Sequence, residues 1–576
     1  MNLEKLATRH LLRSRFLRLC LLLLCATGML GWSLFRPQAA PTHALDQMMP
    51  EGSLLYIEAK DFSGLLKDWN GSPERAQWIK SDDYRVFSNS RLFLRLGQAS
   101  DQFAVAAGLP PNMKFLMDAA GRESALSVYN IGNLEFLYIT RLSSGDFMQS
   151  PLWQSRSKFQ PRTAGGKPFY ARKDEESKRV VAFAIADNYL ILGTSEDLVA
   201  GALELMSGNK GRTLSDEGWY TQARAAGAAT PGDLRMVMNM EKIAVTPHFR
   251  TYWVQQNITE MQSYSSAISD LYREGATYRE ERMILPKKQF DESVLAQSTQ
   301  AATALMATVP KDQGFYQVGP TDAKNTLAVL EQKILAPRFG TAHAEQMAPQ
   351  VQVTGGQTGA STDLETRIDV EPASRSTLNP SASLQQQLEK AGPQASMVVQ
   401  RTIINADGVL MKTPTVVAIA ALADWDGPSI QSAMQEMLAP GLTAARLGLQ
   451  WREVKEAGGY YELDGLSPMQ IAVHGKVLYV ANDAGLLSSV LQTKNQPLSQ
   501  PSIYAAGFSH SRERENFYKF TRLVDQPWAS RETEPQFFSR NIASFSRAFA
   551  RLDSEEMVTR QTKDKIQQTV TYHWLP

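Results

Sequence analysis

Cysteine is almost missing from this chain. Of 576 residues only Cys20 and Cys25 are cysteines, and both sit in the one long apolar run near the N-terminus. Everything beyond Cys25 is therefore without a thiol nucleophile, a thiolate metal site or a disulfide, and depends on apolar burial for its stability. A single sign of charge is missing too. The chain totals +1, and the first 36 residues carry six basic side chains against Glu4 alone, which leaves −4 for the rest. A basic stripe for nucleic acid is thereby excluded. Histidine is sparse (His10, His43, His248, His343, His474, His510 and His573), with no i, i+4 pair and no HExxH. The P-loop, the GxGxxG turn after a strand and the GxSxG elbow are also lacking. These absences imply no metal and no cofactor. No second apolar run is long enough to span a bilayer.

What is present begins with that first run. Leu19 to Phe35 carries no charge, and its 17 residues make roughly 25 Å of helix at 1.5 Å per residue. Phe16 and Leu17 extend it, and Arg18 can snorkel its charge toward the headgroups. Lys5, Arg9, Arg13, Arg15 and Arg18 precede it, so the N-terminus is expected inside and the bulk outside. This predicts a basic cytoplasmic segment over 1–18 and a transmembrane signal anchor over 19–36. The protein would then be a single-pass inner-membrane protein with its mass in the periplasm. A cleaved signal peptide ending at Ala44 is the competing reading. A lipoprotein signal does not fit, because Leu24 precedes Cys25 where a small residue is needed. The thiol-free remainder suits an oxidising bacterial periplasm.

The remainder reads as the same domain twice, over 45–290 and 295–576. The first copy opens Met49-Pro50, then Leu54–Ile57 as a strand and a helix through Phe62, Leu65 and Leu66. The second opens Val309-Pro310, then Gly314–Val318 and a helix through Leu327, Val329 and Leu330. Phe136–Leu142 matches Val416–Leu422, and Ala164-Gly165-Gly166 matches Ala457-Gly458-Gly459. Ala184–Leu192 and Ala472–Val480 each read as a hairpin, turning at Asp187-Asn188 and Gly475-Lys476. A helix follows each hairpin, then a strand (Leu234–Met240, Ser502–Phe508), then a helix-like stretch and a last strand (Arg279–Leu285, Ile566–Tyr572). Identities are few: over 184–203 against 472–491 only Ala184, Leu190, Leu198 and Leu203 recur. The order of elements carries the match.

The fold expected is α+β: an N-terminal transmembrane helix followed by two tandem, internally duplicated domains, each an antiparallel sheet covered on one face by helices. The copies differ in one informative place. Copy one has Trp69, Trp78, Tyr84, Phe87, Phe93 and Leu96 after its first strand. Copy two has no aromatic residue from Gly340 to Asp424, and a loop-rich insertion is expected near 340–395. Met236, Met238 and Met240 alternate as a strand with one buried face.

Two clusters invite chemistry. Ser155-Arg156-Ser157-Lys158 fits the S-x-x-K of penicillin-binding proteins, and Ser207-Gly208-Asn209 loosely fits its companion, but no K-T-G follows. Pro247–Trp253 offers ligand-binding candidates: Arg250 for an anion, Tyr252 and Trp253 for sugar stacking, and His248 beside them, with Asn239 upstream and Arg279–Arg282 downstream. The plainer reading has Phe249, Tyr252 and Trp253 anchoring a helix, and the strand charges pairing across the sheet.

The run Met49–Glu58 followed by Leu65-Leu66-Lys67-Asp68-Trp69, with Ala182-Phe183-Ala184 leading to Tyr189-Leu190 and Leu198, resembles the bacterial family termed domain of unknown function thirty-three fifty-two. The resemblance covers mainly copy one. It implies an exported or membrane-anchored protein and supplies no catalytic residues. The first functional reading is a non-enzymatic, membrane-tethered envelope protein that binds or scaffolds. Its partners would be the membrane through the N-terminal helix, an envelope protein or a glycan, and no nucleic acid. An envelope-polymer hydrolase and a lipid or hydrophobe carrier are the alternatives.

Overall fold

The strands are set by short apolar or alternating runs between turn residues, and their pairing defines the protein. The structure, a computed structural model, describes residues 44–142, 145–209, 211–246, 261–335, 382–404, 411–442, 450–456, 458–463, 468–495, 500–524 and 543–576. The first half contributes β1 (Leu55–Ala59), β2 (Ser124–Asn130), β3 (Glu135–Arg141), β4 (Gln160–Ala164), β5 (Lys167–Lys173), β6 (Val180–Ala186), β7 (Tyr189–Gly193), β8 (Leu234–Met238), β9 (Tyr264–Glu274) and β10 (Thr277–Pro286). The second contributes β11 (Phe315–Pro320), β12 (Pro393–Gln400), β13 (Thr415–Ala421), β14 (Trp451–Val454), β15 (Tyr460–Leu463), β16 (Met469–His474), β17 (Val477–Ala481), β18 (Tyr504–Ser509), β19 (Leu552–Gln561) and β20 (Ile566–Trp574). A small hairpin, Ile403–Ile404 with Met411–Lys412, stands apart.

All twenty strands form one antiparallel sheet. Pairings place the first half in the order β4-β5-β6-β7-β3-β2-β1-β8-β9-β10. The second half runs β20-β19-β18-β11-β12-β13-β17-β16-β15-β14. Each strand of the second half thus holds the place of the strand ten earlier. The halves meet where β10 pairs with β20. Followed outward from Tyr56 and Tyr316, the register matches Val237 with Gly507, Ile268 with Glu556, and Met283 with Thr571. Two residues earlier, Glu281 and Thr569 hold equivalent places and are also paired with each other. An approximate dyad therefore passes through that pair.

This corrects the expected architecture in three respects. The sheets are not separate: one outermost strand of each half, β10 and β20, which would be an open edge in an isolated domain, pairs with the other and satisfies its backbone groups. Leu45–Pro576 is accordingly a single compact unit. Helices cover both faces rather than one. That is why β7 and β13 are buried at every residue and read as continuous apolar runs without alternation. Finally, an N-terminal transmembrane helix is not supported. No helix among the described residues is long and apolar enough to cross a membrane; the longest, Arg91–Ala107, has 17 residues and carries Arg91, Arg95 and Asp101. Residues 19–36 lie outside the described residues, as do 336–381 of the expected insertion. The rest of that insertion includes the helix Ala382–Ala391, which buries Leu384 and Leu388.

Four apolar clusters hold the sheet. On one face, the helix Glu196–Met206 packs Val199, Ala202, Leu203 and Met206 on Leu137, Ile139, Ala184 and Ile191. The helices Glu292–Met306 and Ala484–Gln492 do the same over the second half. On the other face, Phe103, Phe115 and Phe147 meet Phe183 and Leu192, and Leu384, Ile430 and Met434 meet Val417 and Leu478. Every cluster closes within its own half.

The turns follow local chemistry. Gly165-Gly166 and Gly458-Gly459 all take positive φ, where a side chain would be strained. Asp187 and Asn188 are both left-handed, at φ 48° and 67°, while in the equivalent hairpin only Gly475 is. These are the patterns of type I′ and type II′ turns. One face was misjudged: in β8 the fully buried residues are Arg235 and Val237, and Met236 and Met238 are half-buried.

Candidate binding surface

The four residues proposed from sequence as a ligand patch, His248, Arg250, Tyr252 and Trp253, fall within 247–260, outside the described residues. The flanking groups have structural tasks. Asn239 is buried and caps the short helix Met240–Ile243, accepting from the Lys242 amide at 3.0 Å. Arg279 pairs with Glu281 and, across to β9, with Glu274 at 3.2 Å, and lies over the Tyr272 ring at 4.5 Å. Arg282 holds Glu280 at 2.6 Å, so these charges neutralise one another.

The S-x-x-K stretch is a helix end rather than a nucleophile. Ser155 ends the helix Pro151–Gln154, and its hydroxyl donates to the Leu152 carbonyl at 2.9 Å. Ser207 donates to the Leu203 and Gly165 carbonyls at 2.8 and 2.7 Å. Neither hydroxyl faces a base. Beside this stretch lies an open depression of roughly 490 Å³, lined by Gln154, Arg156, Ser157, Phe159, Pro161 and Tyr170 next to the edge strand β4. Arg156 rests over Trp153 at 4.9 Å and donates to its carbonyl at 3.0 Å.

Titratable groups gather beneath the helix Gly218–Ala226. Tyr220 and Arg224 both donate to Asp46, at 3.1 and 3.0 Å, and the Tyr56 hydroxyl reaches Glu58 at 3.3 Å. Burial pushes the Glu58 carboxyl above its ordinary range, with Arg224 opposing it. Burial likewise raises the Tyr56 and Tyr220 phenols. One strand along, Arg235 and Asp270 form a bidentate pair at 2.7 and 2.8 Å, with side chains 1% and 2% exposed. Arg235 and Asp270 are sealed, Arg224 is 37% exposed, and all these groups pair with one another, so they serve the fold.

The surface that stands out follows β1. Four consecutive helices, Phe62–Gly71, Pro73–Lys80, Asp82–Phe87 and Arg91–Ala107, are each started by a side-chain cap. Asp61 accepts from the Gly64 amide at 3.0 Å, Ser72 from Arg75 at 3.2 Å, Ser81 from Tyr84 at 3.0 Å and Ser90 from Phe93 at 3.3 Å. Ser72 and Ser81 also donate backward, to the carbonyls of Trp69 and Trp78 at 2.8 and 2.7 Å. Each therefore ends one helix and begins the next. Trp69, Trp78 and Phe87 stand three residues before Ser72, Ser81 and Ser90, a nine-residue repeat of aromatic and cap.

The layer is held lightly. None of the first three helices contains a fully buried residue. Their rings touch one another instead: Trp78 with Tyr84 at 5.7 Å, Tyr84 with Phe93 at 6.0 Å, and Phe87 with Phe93 at 5.6 Å. Asp68 pairs with Arg273 of β9 at 3.0 Å, and Glu74 with Arg551 at 3.6 Å. The short helix Ala543–Ala548 packs on the second and third helices. Only the end of Arg91–Ala107 enters a core, through Phe103, Ala106 and Ala107.

The layer carries much of the exposed apolar surface of the protein. Among the described residues, eight of the sixteen large exposed hydrophobics lie between Trp69 and Leu116, including Trp69 (44%), Phe87 (42%), Leu94 (58%) and Val105. Scattered exposed apolar residues are ordinary, but this concentration marks an interaction surface. Among the described residues it belongs to the first half. The equivalent place in the second half, between β11 and β12, holds among the described residues the helices Ala323–Leu330 and Ala382–Ala391, which bury Leu330, Leu384 and Leu388.

Comparison with known proteins adds little. No family model matches the chain, and no curated protein does. Among solved structures, crystal form I of TP0453 is similar over 45% of this chain and 86% of its own, at 10% identity and a TM-score of 0.25. Crystal form IV of the same protein gives 43%, 83%, 8% and 0.24.

Proposed function

We propose that this protein is a non-enzymatic binding module of a bacterial envelope, exported to the far side of the cytoplasmic membrane, that engages its partner through the helical layer between Phe62 and Leu116. The observation that carries this reading is the concentration of exposed Trp69, Ile79, Val86 and Phe87 on three helices with no fully buried residue of their own, continued by exposed Leu94 and Leu96 on the fourth. The thiol-free composition after Cys25 and the basic N-terminal flank support export. The commitment of the Ser155 and Ser207 hydroxyls to backbone carbonyls argues against the hydrolase alternative.

Photo-crosslinking in intact cells tests the assignment. A photoreactive residue at Trp69 or Phe87 of the full chain is expected to give adducts that the same residue at exposed Lys173 of β5 does not. Equal labelling at all three positions, or none at any, removes the binding-surface reading.

A further inference from the structure

We infer that the partner of this helical layer is an anionic lipid surface, entered by the apolar side of the helices to the depth of the headgroups. The inference rests on the binding-module reading and names the occupant of its surface. Three features favour lipid over a protein partner.

The first is shape. A protein partner is held by anchors in a central, well-packed pocket. Here Trp69, Ile79, Phe87, Leu94 and Val105 are spread along consecutive helices, a distribution that suits a fluid surface needing no complementary shape. Tryptophan, tyrosine and phenylalanine are also the side chains that settle at a membrane interface.

The second is charge. The acidic side chains of the first three helices are occupied, Asp68 by Arg273, Glu74 by Arg551 and Asp82 by Arg85, or held in part-buried positions, as Asp83 is. Among the described residues, Lys67, Arg75 and Lys80 carry no such acidic partner, and Lys67 and Lys80 are exposed. The layer thus presents the exposed Lys67 and Lys80 beside its apolar side chains, on a chain that is slightly acidic beyond residue 36. Basic residues beside apolar ones attract anionic lipid headgroups.

The third is the backbone. Each helix start is satisfied by its own Asp61, Ser72, Ser81 or Ser90. Each cap thus pairs one leading amide of its helix, at Gly64, Arg75, Tyr84 and Phe93, which lowers the cost of moving the helix starts out of bulk water. The first three helices bury no residue of their own and are tied by the Phe62 and Ser63 amides on the Arg122 and Gly121 carbonyls, by the Phe62 ring on Tyr138 and by the pairs of Asp68 and Glu74, so they can shift without opening a core.

The test uses residues 45–576, a single compact unit with its own cores. It is floated with phosphatidylcholine vesicles, with and without about one-third phosphatidylglycerol. Binding to the anionic vesicles is expected, with a loss of about tenfold for Trp69→Ser with Phe87→Ser. A similar loss is expected for Lys67→Glu with Lys80→Glu, and at high salt. Unchanged circular dichroism keeps the variants interpretable. Absence of binding to anionic vesicles overturns the inference, as does equal binding by parent and variants.

Lack of vesicle binding together with a protein adduct at Trp69 in cells would overturn the lipid assignment and leave the binding module standing. A concentration-dependent dimer abolished by Trp69→Ser would assign the surface to a second copy and overturn it likewise. No vesicle binding and no adduct of any kind would remove both readings.

Discussion

Arg235 and Asp270 sit in a row that crosses the sheet through the dyad: Ile139, Ala125, Glu58, Arg235, Asp270, Glu281, Thr569, Val558, Ala505, Val318, Met397, Ala418. The second half fills the equivalent of Glu58, Arg235 and Asp270 with Val318, Ala505 and Val558, so the fold does not require the ion pair. Breaking it from one side is nonetheless costly. Asp270→Ala leaves a buried guanidinium with the Ala228 carbonyl, at 2.6 Å, and strips the Gly232 amide of its acceptor at 2.9 Å. Removing one partner of such a pair costs about 3–5 kcal/mol. Arg235→Met with Asp270→Leu removes both charges and leaves only the Gly232 amide and Ala228 carbonyl unpaired, for a loss of about 1–2 kcal/mol. The double variant is therefore expected to be more stable than Asp270→Ala, with a favourable coupling of about 2 kcal/mol or more in the cycle of Arg235→Met, Asp270→Leu and the double variant. Urea unfolding gives the totals. Peptide-resolved hydrogen exchange localises the loss to β8 and β9, sparing β12 and β13. A loss under about 1 kcal/mol for Asp270→Ala, or a double variant as weak as the sum of the singles, would refute the reasoning.

Glu58 has a raised carboxyl pKa because it is buried. The folded state therefore binds its proton more tightly than the unfolded chain, and stability contributed there falls as pH rises from the unfolded value near 4.5 through the folded one; Glu58→Gln should flatten that fall in urea midpoints measured across the range. Gly507 lies under the Tyr316 ring, and a Cβ built on it would come within 2.3 Å of that ring. Gly507→Ala is expected to cost about 1–3 kcal/mol in thermal unfolding, and Tyr316→Leu in the same chain should recover part of it. Ser81→Ala removes a helix start and the tie to Trp78. It should cost about 1 kcal/mol locally, visible as faster hydrogen exchange over 78–87 with little change in the global midpoint.

How much of this was legible depended on burial. The hairpins at Asp187-Asn188 and Gly475-Lys476 and the helices after them were readable because apolar strands, turn residues and helical spacing agree there. The glycine pairs were readable because few other residues take that backbone. By contrast β9 and β19 gave no signal: Tyr264–Glu274 and Leu552–Gln561 are mostly half-buried, mixed in charge, and lack apolar alternation. The face of β8 was reversed because an arginine reads as exposed unless its partner, 35 residues on, is known. The aromatic stretch after β1 was visible as the difference between the halves, and its spacing against serine was in plain view. Its exposure was not, because aromatic residues at helical spacing usually mark a core face.

The dyad makes a prediction about each half alone. Both cores of the first half close within residues 45–290, so that half is expected to fold by itself with β10 as an open edge. An edge strand seeks a partner, and the register about Glu281 offers one, because β10 can pair with a second β10 as it pairs with β20. In that arrangement Glu280 of one copy faces Arg282 of the other, twice, which favours association. Glu281 faces Glu281, which opposes it, since like charges directly across a strand pair are destabilising. In the intact chain the place opposite Glu281 is taken by Thr569. Residues 45–290 should therefore form a weak symmetric dimer in sedimentation. Glu281→Thr, which gives each copy the residue found across the dyad, should tighten it by about threefold to tenfold, and raised salt should narrow the gap between the two. A strictly monomeric 45–290, or a dimer indifferent to Glu281→Thr, would mean that the central pairing depends on covalent linkage of the halves rather than on the strands that meet there.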